Sequence, residues 1–271
     1  MPEGDTIHSA ARRIGAALVG RQIVSLETPQ ERHLRDRWPQ RLEGRGVRAV
    51  DAHGKHLFVR FDGDLTLHSH LRMSGKWGVY RHDQRWRRSP RRAWLVLRTT
   101  EHAVVQFDGP LLELMTDSRT RFDQRLAALG PDVLADGFDE AELLRRLRAG
   151  DDTRPIGEAL LDQRNLAGIG NIWKSEGCFL ARLDPWRRVR EVRDEEVLAV
   201  VRAVIPMMRA SVDRGGRVVT WEPGRPVPGR RARTCVFERS GLPCRRCGAR
   251  VRARGQGEDN RMTYWCPECQ G

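Results

Sequence analysis

Two Cys-x-x-Cys pairs, Cys244/Cys247 and Cys266/Cys269, separated by eighteen residues, constrain this chain more tightly than any other feature of it. Each pair can bring two sulfurs to one ion, and the spacing falls within that of a tetrahedral four-thiolate zinc site. Four protein ligands leave no open coordination position. One structural zinc is therefore expected, which suits a terminal segment too small to build a core of its own. A redox dithiol pair is the competing chemistry for such motifs. Cys178 and Cys235 stand alone, so the cysteines read as metal ligands rather than a disulfide framework. Arg245, Arg246, Arg250, Arg252, Arg254 and Arg261 lie within the module. A metal-stiffened ribbon of guanidinium groups suits phosphate or groove contacts, and a solvated basic face is the plainer reading.

The charge balance points the same way. Lys and Arg outnumber Asp and Glu 49 to 36, a formal net charge of +13, so the field of the protein attracts a polyanion. Nucleic acid is the leading partner, and a biased genome is the bland explanation of so much arginine. With 271 residues and 39% hydrophobic content, there is material for two domains and a small appendage. No run approaches the roughly 18 consecutive apolar residues that span a bilayer. Asp5, His8, Arg12 and Arg13 interrupt any apolar stretch at the start, so a soluble protein that stays inside the cell is expected.

Along the chain, Asp5-Thr6 offers a helix N-cap, and Ile7, Ala10, Ala11, Ile14 and Leu18 follow at helical spacing until Gly20. From Gln22 to about Met115 the period becomes two. Val47–Asp51, Leu57–Phe61, Leu65–His70, Trp94–Thr99 and Val104–Phe107 are short β-rich runs between Gly and Asp turns, the pattern of a sandwich or barrel. After Asp132 the pattern is helical. Asp139 to Glu142 reads as a capping box for a helix to about Arg148, Pro155 as the N1 residue of one to about Gln163, Gly168-Ile169-Gly170 as a turn into one from Asn171, and Asp194 as the start of one ending near Arg214. Residues 213–233, rich in Gly, Pro and Arg, read as a mobile basic connector into the cysteine module.

The start of the chain carries a second chemical signal, Met1-Pro2-Glu3-Gly4-Asp5. Removal of Met1 leaves Pro2 with a free secondary amine. A model α-amino group has a pKa near 8, so an appreciable neutral, nucleophilic fraction exists near pH 7. Such an amine can attack a sugar C1′ and form an iminium, and Glu3 beside it can act as general acid or base. Alone this motif is weak, because most chains with proline at position two have no catalytic terminus.

Five motifs follow in order: Pro2-Glu3-Gly4, His53-Gly54-Lys55-His56, His70-Leu71-Arg72-Met73-Ser74-Gly75, Leu166-Ala167-Gly168-Ile169-Gly170-Asn171-Ile172, and the four-cysteine module. Together they resemble the formamidopyrimidine-DNA glycosylase/endonuclease VIII family, over nearly the whole chain. The resemblance implies an α+β multidomain fold: an N-terminal helix plus β-sandwich over 1–125, a helical helix-two-turn-helix domain with the connector over 126–234, and a zinc finger over 235–271. It implies Pro2 as nucleophile, Glu3 as proton-shuttling carboxylate, and Lys55 as a hairpin lysine that contacts phosphate and assists catalysis. Asn171 matches an asparagine that binds phosphate near the lesion, and a Gly-rich turn into a helix leaves backbone N–H groups to hold an anion. A simple N-cap is its structural alternative. Arg261 matches a finger arginine that clamps phosphates beside a flipped nucleotide. Met73 matches a wedge entering the base stack and His70 a phosphate contact, although a methionine beside a strand is more often core packing.

The chain departs from the family at Thr6, where a glutamate is common, and at Phe107-Asp108-Gly109-Pro110-Leu111-Leu112-Glu113, where purine-lesion members carry an Arg-Arg-Phe wedge. These departures tilt the expected substrate toward the oxidised pyrimidines and ring-damaged purine products of endonuclease VIII. The implied activity is excision of an oxidised base from damaged double-stranded DNA through a Pro2 Schiff base, then β- and δ-elimination, by a monomer at the nucleoid of a bacterial cytoplasm. An oxidised-purine glycosylase, a non-catalytic binder of damaged DNA and a zinc-ribbon protein that recognises RNA or protein are the alternatives; the last leaves the N-terminus unexplained.

Overall fold

The computed structural model describes residues 2–222 and 229–271. Met1, whose removal is expected, and residues 223–228 of the expected connector lie outside the described residues. Pro2 with Thr6–Ala127 forms one compact unit, and Glu3–Asp5 with Ala128–Gly271 forms a second.

The first helix, α1 (Gly4–Leu18), opens one residue before the expected cap, so Asp5 lies inside its first turn. Within the first unit, Ile7, Ile14 and Leu18 bury the apolar stripe of α1 against Leu57, Val59, Phe61, Leu67, Leu95, Leu97 and Val104. Those residues come from two four-stranded antiparallel sheets. One has the order β1 (Ser25–Glu27), β6 (Ala93–Arg98), β7 (His102–Phe107), β5 (Lys76–Arg81); the other runs β2 (Val47–His53), β3 (His56–Phe61), β4 (Leu65–His70), β8 (Leu111–Thr116). Alternation explains the strands read from sequence: Leu57, Val59 and Phe61 face the core and the intervening side chains face away.

β1, β5 and β8 escaped the sequence reading, as did the short helices α2 (Glu31–Arg35) and α3 (Trp38–Leu42) inside the stretch read as all-β. Pro39 at the start of α3 presets its φ, and Trp38 and Leu42, one turn apart, are both buried. Two further short helices, α4 (Asp117–Phe122) and α5 (Gln124–Ala127), end the unit.

In the second unit α6 (Glu140–Ala149) starts where expected, with the Asp139 carboxylate accepting from the Glu142 N–H at 2.9 Å. Pro155 is the N-cap rather than N1 of α7 (Ile156–Ala159), which is one turn long and stops well short of Gln163. α8 (Asn171–Leu180) starts where expected, and α9 (Asp194–Asp213) matches its expected limits closely. Their contact, with Leu143, Leu147, Ile156, Leu166, Trp173 and Val201, forms the core of the unit. The cysteine module adds a hairpin of β9 (Arg252–Gln256) and β10 (Arg261–Trp265), then α10 (Pro267–Gln270).

The flanks of the expected connector are held rather than loose. Glu176 of α8 is fully buried, and its carboxylate accepts backbone N–H bonds from Cys235 at 2.7 Å, Val236 at 2.9 Å and Phe237 at 2.7 Å, and the hydroxyl of Thr220. Removing that acceptor leaves buried donors unpaired, at a cost of about 1–3 kcal/mol each. Glu176→Ala should destabilise the protein by about 3 kcal/mol or more, lowering Tm by roughly 6–12 °C in a thermal melt.

Candidate functional site

The residues marked by the sequence fall in both units. In the second, the chain enters helix α8 through Gly168-Ile169-Gly170. Gly4 donates its N–H to the Gly168 carbonyl at 2.9 Å, and a Cβ on Gly4 would lie 2.9 Å from the Gly168 Cα, so two backbones meet where a side chain has no room. A Cβ on Gly170 would lie 2.3 Å from the Glu3 carboxyl carbon. Glu3 is 1% exposed. One carboxylate oxygen accepts from the N–H groups of Gly170 at 3.0 Å and Trp173 at 3.3 Å, the other from Ile172 at 2.8 Å. Unpaired donors and the positive end of the helix dipole favour an anion there. The anion held by the turn is thus the chain's own Glu3, whereas the sequence reading kept these donors for a phosphate.

Asn171 is the first residue of α8; its N-cap is Gly170, so the simple N-cap reading does not apply to it. The Asn171 amide donates to the Met262 carbonyl of β10 at 2.6 Å, while its carbonyl oxygen is buried without a hydrogen-bond partner. Next to Met262, Arg261 is exposed at the start of β10, with Asp259 at 3.6 Å. One turn into α8, Lys174 is fully buried and donates to the Thr263 hydroxyl at 2.5 Å, which donates on to the Gln256 side-chain oxygen at 2.9 Å. Burial holds the Lys174 ammonium down to about 8, opposed by the nearby Glu3 carboxylate. Sequence reasoning passed over Lys174; its signal is a lone cation in a segment whose neighbours on either side are all buried.

The sulfurs of Cys244, Cys247, Cys266 and Cys269 lie within 4.8 Å of one another, with Cys244–Cys269 at 3.9 Å and Cys247–Cys266 at 3.5 Å. A tetrahedron with metal–sulfur bonds of about 2.3 Å has edges of about 3.8 Å, close to these spacings, so this cluster could hold a metal ion. Cys178 and Cys235 lie outside it, and burial pushes both thiols up to about 12, where they stay protonated and inert.

In the first unit, Lys55 occupies the two-residue turn between β2 and β3, where Gly54 takes φ 56° and His53 pairs with His56. His70, at the end of β4, pairs with His56 across the sheet. Burial, then Arg72 and Lys55, hold the His70 imidazolium down to about 4, so the ring is neutral at pH 7. Its Nδ1 accepts the Arg72 N–H at 3.0 Å, which leaves the ring proton on Nε2, oriented as a donor. Met73, in the following turn, is 62% exposed and belongs to no core.

A further group on this sheet was not anticipated. His68 is 2% exposed; its Nδ1 faces Glu113 at 3.2 Å and its Nε2 faces His56 Nδ1 at 2.8 Å, and Arg125 donates to Glu113 at 2.9 Å. The carboxylate requires the proton on His68 Nδ1, so the neutral ring accepts at Nε2 and His56 must donate from Nδ1. One acid thereby sets the tautomers of two imidazoles behind the Lys55 turn. The signal in the sequence was period-two spacing of His68 and His70, visible only once β8 is known to pair beside β4.

Comparison with known proteins follows this geometry. Residues 1–122 match the formamidopyrimidine-DNA glycosylase N-terminal domain, and residues 129–222 the H2TH domain of the same enzymes. The chain is 41% identical to a probable endonuclease 8 2 of Streptomyces coelicolor, over all of this chain and 94% of that protein. It is 36% identical to the DNA-(apurinic or apyrimidinic site) lyase Nei2 of Mycolicibacterium smegmatis, over all of this chain and 99% of that one. Among solved structures, the Lactococcus lactis Fpg in complex with an abasic-site-containing DNA shares the fold, with a TM-score of 0.81 at 24% identity over 99% of both chains. With both family domains matched and relatives this similar aligned along its whole length, the chain belongs to the formamidopyrimidine-DNA glycosylase/endonuclease VIII family.

Proposed function

We propose that this chain, a DNA glycosylase and abasic-site lyase of base excision repair, removes oxidised pyrimidines in preference to purines, with Pro2 as nucleophile. The observation that carries the mechanism is the Glu3 carboxylate, buried and accepting three N–H groups at the start of α8, from Gly170, Ile172 and Trp173, one peptide bond from Pro2. The neutral Pro2 amine attacks C1′ of an extruded nucleotide; the N–C1′ bond forms as the bond to the damaged base breaks. Glu3 takes the proton that the attacking amine must lose and delivers it to the ring oxygen as the C1′–O bond opens, leaving an iminium. Loss of a proton from C2′ then expels the 3′ phosphate, and loss of one from C4′ expels the 5′ phosphate, giving β,δ-elimination and a one-nucleotide gap.

Lys55 on its hairpin turn and the Nε2–H of neutral His70 are the donors to phosphate from the first unit. Asn171, bonded to the Met262 carbonyl, and Arg261, the residue before Met262, serve the second. Met73 is the wedge that fills the space of the extruded nucleotide, a role its exposure supports. A single structural zinc completes the four-thiolate cluster and fixes the hairpin that presents Arg261. The pyrimidine preference is supported by relatives named endonuclease 8 and by the lack of an Arg-Arg-Phe wedge over Phe107–Glu113. Among the described residues no helix is long and apolar enough to cross a membrane. Bacterial relatives support action in the cytoplasm, on chromosomal DNA.

Borohydride should trap a covalent adduct on duplexes carrying an oxidised pyrimidine, more weakly on oxidised guanine, and on a plain abasic site, and Pro2→Gly should abolish it. Tight binding of abasic DNA with no adduct from the parent protein would replace the enzyme by a damaged-DNA binder. Glu3→Gln should slow adduct formation by about 100-fold or more, as expected for loss of a general acid–base group, at unchanged abasic-site affinity. Elemental analysis should find one zinc per chain, and Cys269→Ser should remove it and weaken duplex binding by about tenfold or more. A full-affinity, metal-free protein would overturn the zinc assignment.

A further inference from the structure

The loop between β5 and β6 reads His82-Asp83-Gln84-Arg85-Trp86-Arg87-Arg88-Ser89-Pro90-Arg91-Arg92. It is anchored, not loose: the Trp86 ring stacks on Tyr80 at 6.1 Å and meets the Phe107 edge at 5.8 Å, and the Arg87 N–H donates to the Tyr80 hydroxyl at 3.3 Å. Asp108, in the turn between β7 and β8, adopts φ 49° and pairs with Arg88 at 2.6 Å and with Arg92 at 2.6 Å. Arg88 also donates to the Ser74 carbonyl at 3.3 Å, which ties the loop to the turn bearing Met73. The 108–110 turn, which lacks cations of its own, thus gathers them from a neighbouring loop.

The gathered cations crowd one another. Partial desolvation, then Arg88, Arg87 and Arg13, pull the Lys76 ammonium below its ordinary value. Desolvation and Arg87 do the same to Arg13. Arg13, Lys76 and Arg87 carry no ion pair among the described residues, and Asp108 is already shared by two arginines. Like charges held together by an aromatic anchor and a carboxylate bracket favour a polyanion at that place. Proteins that insert an apolar side chain between bases commonly flank it with such cations.

We propose that Arg13, Lys76 and Arg87, assembled beside Met73 by the Arg88–Asp108 bracket, form a binding site for DNA backbone phosphates at the wedge. The inference rests on the DNA-repair reading above. Each phosphate neutralised adds about 0.9 to the slope of log affinity against log salt concentration. The test is the affinity of the full chain for a duplex carrying a stable abasic analogue, titrated at several salt concentrations. Lys76→Ala with Arg87→Ala should lower the slope by about 2 and weaken binding at low salt by tenfold or more. The charge-keeping pair Lys76→Arg with Arg87→Lys should restore both, which separates lost contacts from damaged folding. A double-alanine variant with the parent's slope and affinity overturns the site while leaving the repair function standing. Failure of the parent itself to bind the duplex overturns both.

Discussion

A carboxylate lying on the open end of a helix is the interaction on which this molecule turns. Glu3 satisfies three of the donors that α8 leaves unpaired, and those donors fix the orientation of its carboxylate with almost no exposure. The arrangement demands absent side chains as much as present ones. Gly4 and Gly168 let two backbones touch, and Gly170 leaves space for the carboxylate itself. A methyl group at Gly170 would displace the Glu3 carboxylate, and one at Gly4 would push the backbone away from Gly168.

The same helix organises what lies further along the chain. The side chains of α8 reach β10 through Asn171 to Met262 and through Lys174 to Thr263, while Glu176 fixes the segments at 220 and 235–237. Every residue from Asn171 to Phe179 is buried, although the segment includes a lysine, a glutamate, an asparagine and a serine. Buried polar groups are costly unless hydrogen-bonded, and here the partners of Lys174, Ser175 and Glu176 lie in the finger and the segment before it. The α8 contacts therefore help to fix the hairpin on which Arg261 stands.

In the sandwich, one sheet face is apolar and builds the core, and the opposite face carries the His56–His68–Glu113–Arg125 chain. On this surface of the sheet burial lowers the pKa values of both imidazoles, and the carboxylate fixes their tautomers. Met73 and its neighbouring cations extend that surface, with the aromatic trio of Tyr80, Trp86 and Phe107 as their footing.

What the sequence determined by itself was local or periodic: the four thiolates and their spacing, the alternation of β3 and β4, the Asp139 cap, the turn into Asn171, and the adjacency of Pro2 and Glu3. These depend on neighbours within a few residues, so propensity and pattern suffice to read them. Strands such as β5 and β8 were missed because each brings only two residues to the core, Trp77 with Val79 and Leu112 with Leu114, and pairing with β7 and β4 sets their register. Tertiary structure alone decided which anion the 168–170 turn accepts, that Lys174 meets Thr263, that Glu113 sets two histidine tautomers, and that Asp108 collects arginines from another loop. Each of those partners is distant in sequence, more than 160 residues for Glu3 and Gly170, and a pairing over such a span is chosen by packing and the satisfaction of buried polar groups, which no local pattern encodes.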